Sequence, residues 1–128
     1  MNANNRQVGG SHYAEGGEVQ HWDFVTLNGL SYLVGCATKY IARWRKKNGV
    51  QDLQKALHYI EKLTELFLAG AIPAAGKRQL RITVEEFCAA NGIGGEEQEA
   101  IMALTYWASE RELGHAWEIV DSLIKQQG

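Results

Sequence analysis

The side chains best suited to chemistry form a stripe along one helix that the sequence predicts. At about 100° per residue they fall in a narrow band beside the apolar face of the helix. They are Tyr32, Lys39, Arg43 and Lys46, with Lys47 nearby. Cations at the rim of a groove between helices are partly desolvated and suit phosphate groups. Alternatively, the stripe is a solvated surface favoured by the helix dipole. Both interpretations stay open for Lys46 and Lys47, whereas position favours ligand binding for Lys39 and Arg43.

A second strip lies beside the apolar face of the next predicted helix. Asp52, Lys55 and Tyr59 are spaced at i, i+3 and i+7, and antiparallel packing would bring them opposite the first stripe. Asp52 would then orient a basic residue or accept a substrate hydroxyl, and Tyr59 would stack on a base. Alternatively, Asp52 caps its helix, Lys55 is solvated and Tyr59 belongs to the core. Spacing alone favours the second interpretation for Asp52 and Tyr59.

The N-terminal segment contains a further group of polar and aromatic residues. Gly9 and Gly10 allow backbone N–H groups to approach an anion. The hydrogen-bond donors that follow are Ser11, His12 and Tyr13, and a second group consists of His21, Trp22 and Asp23. These supply acid–base groups, a stacking surface and a carboxylate suited to a helix N-cap. No GxxxxGK[ST] motif is present, which excludes a standard P-loop kinase design.

The remaining motifs predict structure instead of chemistry. The four histidines and two cysteines lack the spacing of metal ligands, so we expect no metal site. Cys36 and Cys88 lie near apolar helix faces and are predicted to be small core residues. The GIGGEE segment at 92–97 resembles a phosphate loop, but its acidic residues would repel phosphate, and a helix start is favoured.

Hydrophobic periodicity predicts an all-α fold with about four to five helices and an extended, glycine-rich N-terminal arm. The short helix is expected to follow Asp23 and to end at Gly29. The longer helical segments are 31–47, 52–70, 96–109 and 112–126. A linker is predicted at 71–82, followed by a short helix that begins with a Thr83–Glu86 capping box. Asn48-Gly49, Gly70 and Asn91-Gly92 are predicted helix ends.

Composition sets limits on the class of protein. With 128 residues the chain fits a single domain, 1–128, and its 45% hydrophobic content excludes a disordered chain. No apolar stretch reaches membrane-spanning length and no secretion signal is evident, so we expect a cytoplasmic protein without membrane association. The net charge is −2, but basic residues predominate in 1–70 and acidic residues in 71–128. An anionic ligand is therefore expected in the first half.

Two stretches together resemble a known family of small phage and prophage proteins. They are VGGSHY and HWDFVTLNGLSYLVGCATKYIARWRKKNGVQDLQKALHYIEKL, within residues 8–67. The family pattern joins a His-Tyr, an aspartate turn, a Lys-Tyr-x-x-Arg helix and an Asp-Leu-x-Lys-Ala-x-x-Tyr helix. The positions it implies are His12, Tyr13, Trp22, Asp23, Gly35, Lys39, Tyr40, Arg43, Lys47, Asp52, Lys55 and Tyr59. The chain departs from the pattern at His21, usually proline, and at Cys36, often asparagine.

The resemblance implies a nucleotide kinase that acts on deoxynucleoside monophosphates. ATP or another nucleotide would then be a substrate or ligand, with no permanently bound cofactor. The candidate catalytic groups are His12, Asp23 and Asp52. The candidate binding groups are Ser11, Tyr13, Trp22, Lys39, Arg43, Lys46, Lys47, Lys55 and Tyr59. Only Asp23 and Asp52 are candidate magnesium ligands, which leaves a role for magnesium open.

Two other functions are compatible with the same residues. A non-catalytic protein could sequester a host nucleotide immune signal through its cationic groove. A single-strand nucleic-acid binder would use the basic stripe with Trp22 and Tyr59 as stacking platforms, but the acidic second half counts against nucleic acid as a partner. Under every hypothesis we expect a homo-oligomer, because the helices leave more apolar surface than one short bundle covers.

Overall fold

The computed structural model describes residues 19–128, and this part of the chain is helical without any strand. It comprises α1 (His21–Leu27), α2 (Tyr32–Arg43), a 3₁₀ turn (Trp44–Lys46), α3 (Val50–Leu68), α4 (Val84–Asn91), α5 (Gly95–Thr105) and α6 (Glu110–Gln126). The predicted all-α class is confirmed, with six α-helices in residues 19–128 where about four to five were expected. The predicted arm falls largely on residues 1–18, which lie outside the described residues.

Helices α2 and α3 form the predicted antiparallel hairpin. The Ser31 hydroxyl accepts the backbone N–H of Val34 and so caps the start of α2. Each helix buries one apolar face against the other. The buried hydrophobic residues are Val34, Ala37 and Ile41 on α2 and Leu53, Ala56, Ile60 and Leu63 on α3. Gly49 connects the two helices with a φ of +60°, a conformation that glycine adopts far more readily than other residues.

Helix α1 crosses the first half of α2 and begins earlier than predicted. The helix starts at His21, and the carboxylate of Asp23, in its first turn, accepts the backbone N–H of Gln20 at 3.0 Å. The prediction that Asp23 is the N-cap is therefore wrong, because the capping partner lies three residues upstream. A Cβ added at Gly35 would lie 3.3 Å from Val25 Cγ1, so a small residue permits this close crossing.

The segment predicted as a linker is held against the end of α1. The side-chain amide of Asn28 donates to the carbonyl of Ile82 at 2.7 Å, and its oxygen accepts the backbone N–H groups of Arg81 and Ile82. The guanidinium of Arg78 donates to the Asn28 carbonyl at 2.8 Å. Although the segment lacks helix, these bonds fix its course.

The first of the C-terminal helices begins with the expected capping interaction. The Thr83–Glu86 capping box is present, and Gly92 ends α4 with a φ of +65°. Helix α5 ends at Thr105, earlier than predicted. The reason is that Ser109 serves as the N-cap of α6 and forms a second capping box with Glu112. None of the described helices is long and apolar enough to cross a membrane.

Residues from both halves of the chain contribute to one buried core. Helix α6 packs on α3 and α5, and α5 also contacts α2. A polar link joins the halves at the 3₁₀ turn. There, the buried carboxylate of Glu97 accepts the indole N–H of Trp44 at 3.0 Å and the Nε–H of Arg45 at 2.7 Å.

The hairpin connection gives a first testable prediction. Gly49→Ala should destabilise the protein by about 1–3 kcal/mol, because alanine is strained at this positive φ. The matched control is Gly114→Ala in the middle of α6, which should stabilise by about 0.5–1 kcal/mol. An added Cβ meets no atom within 4 Å at either position, so only backbone conformation differs. Urea unfolding of both variants checks this, and shifts of the same sign would contradict it.

Candidate functional site

The ring of Tyr40 lies at the centre of a group of cations from two helices. Lys39 Nζ is 5.4 Å, Arg43 Cζ 4.8 Å and Lys55 Nζ 5.3 Å from the ring centroid. All three distances are within the range of cation–π attraction. The ring of Tyr59 stacks nearly parallel to that of Tyr40, with 5.9 Å between centroids and 12° between planes. We call these five residues the Tyr40 cluster.

The cluster is anchored by an ion pair between α2 and α3. Arg43 donates from Nε to Asp52 Oδ2 at 3.2 Å and from its terminal nitrogen to Oδ1 at 3.3 Å. The backbone N–H of Asn48 also donates to Asp52 at 3.3 Å. Asp52 is fully buried, which disfavours its charged form, but the hydrogen bonds from Arg43 and Asn48 outweigh burial and lower its pKa below 3.8.

These hydrogen bonds show which of its predicted roles Asp52 has in the structure. Its carboxylate orients a basic residue, as one interpretation of the sequence expected. Because the carboxylate is enclosed and occupied by Arg43, it is not presented to a substrate or to a metal ion. Among residues 19–128, no group of three or more histidine, cysteine or acidic side chains is arranged to hold a metal ion.

His21 links α1 to the cationic side of α2. The Thr38 hydroxyl donates to the Val34 carbonyl at 2.9 Å, so its oxygen accepts Nε2–H of His21, also at 2.9 Å. Burial and then the charge of Lys39 lower the pKa of His21 to about 4. The imidazole is therefore neutral at pH 7, and it lies close enough to Lys39 to respond to that lysine's charge.

Two tyrosines and a cysteine continue the cluster toward the start of α2. The ring of Tyr32 meets that of Tyr59 edge-on, with 6.4 Å between centroids. Cys36 lies one helical turn after Tyr32, is half-buried and lies near both tyrosines. The prediction of a core residue holds better for Cys88, which is buried. Burial, with Glu85 and Glu97, raises the Cys88 pKa to about 11.

An open groove begins at the Tyr40 cluster. It has a volume of about 550 Å³ and runs along the outer side of the hairpin. Its lining consists of Leu33 and Tyr40 from α2 and Lys55, His58, Tyr59, Glu61, Lys62 and Glu65 from α3. The groove is large enough for a small ligand that contacts the stacked tyrosines and Lys55 together.

Other predicted site residues lie apart from this cluster. Lys46 lines a second cavity, which shares no lining residue with the cluster. The helix tightens to a 3₁₀ turn at Trp44, so the 100° spacing that placed Lys46 on the stripe no longer applies there. Lys47 is exposed and Trp22 is half-exposed. The predicted donors Ser11, His12 and Tyr13 lie outside the described residues.

Residue periodicity alone did not single out Tyr40, which it placed on the apolar face of α2. The structure gives this residue the largest number of partners in the site. A usable signal was present in the sequence, because a lysine precedes Tyr40 and an arginine follows it three positions later. Both neighbours can reach the ring of a tyrosine on the same helix.

Comparison with known proteins finds one family, which matches the first half of the chain. Residues 8–61 match a family described as "Protein of unknown function (DUF3310)". This DUF3310 segment covers α1, α2 and most of α3, and so includes every member of the Tyr40 cluster. No curated protein and no solved structure matches the chain.

The Arg43–Asp52 pair gives the second prediction. Arg43→Leu should reduce the free energy of unfolding by about 3 kcal/mol, because it leaves a buried carboxylate without its positively charged partner. Adding Asp52→Leu should recover part of that loss by removing the uncompensated charge. Lys62→Leu is the control, since Lys62 pairs with Glu65 at the surface and should change stability by only about 0.5 kcal/mol. Denaturant unfolding measures all three, and equal effects at the two pairs would contradict a larger role for the buried pair than for the exposed one.

The third prediction concerns pH. The folded-state pKa of His21 is about 4, against 6.5 for a free histidine. The unfolded chain therefore binds a proton that the folded chain does not, and stability should fall between pH 6.5 and 4 by up to about 3 kcal/mol. The Asp52 contribution is lost only below pH 3.8.

Unfolding curves from pH 7 to 4 should separate the contribution of His21 to stability from that of Asp52. His21→Gln should show a smaller fall in stability than the unchanged protein over this range. The exposed His58 provides the control, and His58→Gln should keep the original slope. An unchanged slope in His21→Gln would exclude His21 as the source.

Proposed function

We propose that this protein binds a phosphorylated nucleotide at the Tyr40 cluster. The observation that carries the proposal is the convergence of three cations and a stacked tyrosine pair on one surface of the hairpin. Cations suit the phosphates, and tyrosine faces suit the base.

The charge balance of the cluster favours an anionic ligand. Asp52 neutralises Arg43, but within residues 19–128 neither Lys39 nor Lys55 forms an ion pair. Two positive charges are thus held near a third around one ring, and their mutual repulsion is relieved when an anion binds between them. Burial is the main cause of the lowered pKa of His21, and the positive charge of Lys39 adds to it.

The resemblance of residues 8–67 to phage nucleotide kinases makes phosphoryl transfer to a deoxynucleoside monophosphate the first reaction to test. Such transfer depends on positioning and charge stabilisation and needs no covalent enzyme intermediate. Lys39, Arg43 and Lys55 would hold phosphate oxygens, and Asp52 would act as a positioning residue for Arg43. We further expect a phage origin, a cytoplasmic location and self-association, which stay predictions from the sequence.

One observation favours a second candidate function, binding without turnover. Asp52, the carboxylate that pairs with a cation of the cluster, is occupied by Arg43 and Asn48. A protein that only sequesters a nucleotide needs the cations and stacking surface but no group that presents a carboxylate to the ligand.

The fourth prediction tests binding by calorimetry with ATP and each deoxynucleoside monophosphate. The unchanged protein should bind at least one of them, and Lys39→Ala/Lys55→Ala should weaken that binding at least about tenfold, since each lost charge-assisted contact is worth about 1.5 kcal/mol or more. The control Arg111→Ala/Lys125→Ala removes the same net charge from α6 and should bind normally. Equal losses in the two variants would contradict a specific site.

Product analysis then separates the two functions. The protein is incubated with ATP, magnesium and the bound deoxynucleoside monophosphate, and the nucleotides are separated by chromatography. A deoxynucleoside diphosphate that depends on Lys39 and Lys55 would support the kinase. Recovery of intact ligand after heat denaturation would support sequestration, and absence of any bound nucleotide would overturn the proposal.

A further inference from the structure

The surface that carries the Tyr40 cluster changes in character along the hairpin. Pairing in the hairpin places Arg43 opposite Asp52, Tyr40 next to Lys55, and Cys36 beside Tyr59. The end near the α2–α3 connection is therefore cationic. The other end presents one thiol and two phenols, which are neutral groups.

The neutral end is built from Tyr32, Cys36 and Tyr59. Tyr32 and Cys36 are separated by one turn of α2, and the Tyr59 ring lies edge-on to Tyr32. Hydrogen bonding to Cys36 raises the pKa of Tyr32, and the neighbouring Cys36 and Tyr32 raise that of Tyr59. A phenol with its proton can donate as well as accept hydrogen bonds.

The solvent exposure of Tyr32 indicates that this side chain does not act only as a core residue. Tyr32 is 75% exposed, so its ring gains little from burial at this position. Tyr59 connects the two ends of the surface, because its ring stacks on Tyr40 and also meets Tyr32. A ring stacked on these tyrosines would have its edge beside the hydroxyls and the thiol.

The spacing fits a ligand with a phosphate at one end and a polar base at the other. Cys36 and Arg43 are seven residues apart on α2, which corresponds to about 10 Å along the helix axis. This is comparable with the length of a nucleoside monophosphate. Neutral donors and acceptors suit the carbonyl and amino groups of a base, whereas the lysines suit its phosphate.

We propose that Tyr32, Cys36 and Tyr59 determine which base the site accepts, while Lys39, Arg43 and Lys55 hold the phosphate. This inference rests on the proposed nucleotide binding. It adds the prediction that affinity and base selectivity reside at opposite ends of one surface and can be changed separately.

The fifth prediction follows from that separation. Tyr32→Phe and Cys36→Ala should change the ratio of dissociation constants among the four deoxynucleoside monophosphates by about tenfold, the usual worth of one hydrogen bond. The affinity for inorganic pyrophosphate should stay within about twofold, because it contacts only the cations. Cys36→Ser, which retains a donor and an acceptor, should preserve more of the selectivity than Cys36→Ala. Lys39→Ala should weaken all five ligands together.

Calorimetry with these ligands distinguishes the possible failures. If the unchanged protein binds no deoxynucleoside monophosphate, the proposed function fails and this inference fails with it. If nucleotides bind and Lys39→Ala weakens them, but the ratios among bases do not change in Tyr32→Phe and Cys36→Ala, only the inference is overturned. A parallel loss of pyrophosphate binding in Cys36→Ala would also overturn it, since that result indicates a general structural defect.

Discussion

The ion pair between Arg43 and Asp52 is the constraint on which the site depends. A fully buried carboxylate stays charged only when its oxygens are satisfied, and here Arg43 and the backbone of Asn48 satisfy them. The pair joins the end of α2 to the first turn of α3, and thus sets the register of the hairpin. It also fixes the guanidinium 4.8 Å from the centre of the Tyr40 ring, which defines the cationic end of the surface.

The positive charges of Lys39 and Lys55 are less fully neutralised than that of Arg43. Lys39 lies against the ring of Tyr40 and forms no ion pair within residues 19–128, so an aromatic face and not a carboxylate offsets its charge. Lys55 makes the corresponding contact from α3. Tyrosine faces attract cations without satisfying them as fully as an acid would. A surface arranged in this way retains positive potential, and that potential is what an anionic ligand would experience on approach.

Hydrophobic periodicity and end signals predicted where the helices lie, because local effects determine both, but they misplaced the start of α1 and the end of α5. The capping box of Thr83 and the positive φ of Gly49 are examples. Helical spacing also placed Lys39 and Arg43 on one face correctly. It was wrong for Lys46, because the α-helix gives way to a 3₁₀ turn at Trp44. Trp44 donates to Glu97 in this turn, and no local rule predicts that partner 53 residues away. The burial of Asp52 likewise depends on tertiary packing, which sequence spacing could not decide.

The acidic C-terminal half lies outside the DUF3310 segment, yet its contacts reach the end of the site helix. Glu97 on α5 binds Trp44 and Arg45, the two residues that directly follow Arg43. The position of Arg43 is therefore fixed from both sides, by Asp52 within the hairpin and by Glu97 through the turn. Helix α6 adds a third support, because Trp117 donates to Glu61 on α3 at 2.9 Å. In physical terms, the second half of this chain acts as the scaffold that keeps the two site helices in one register.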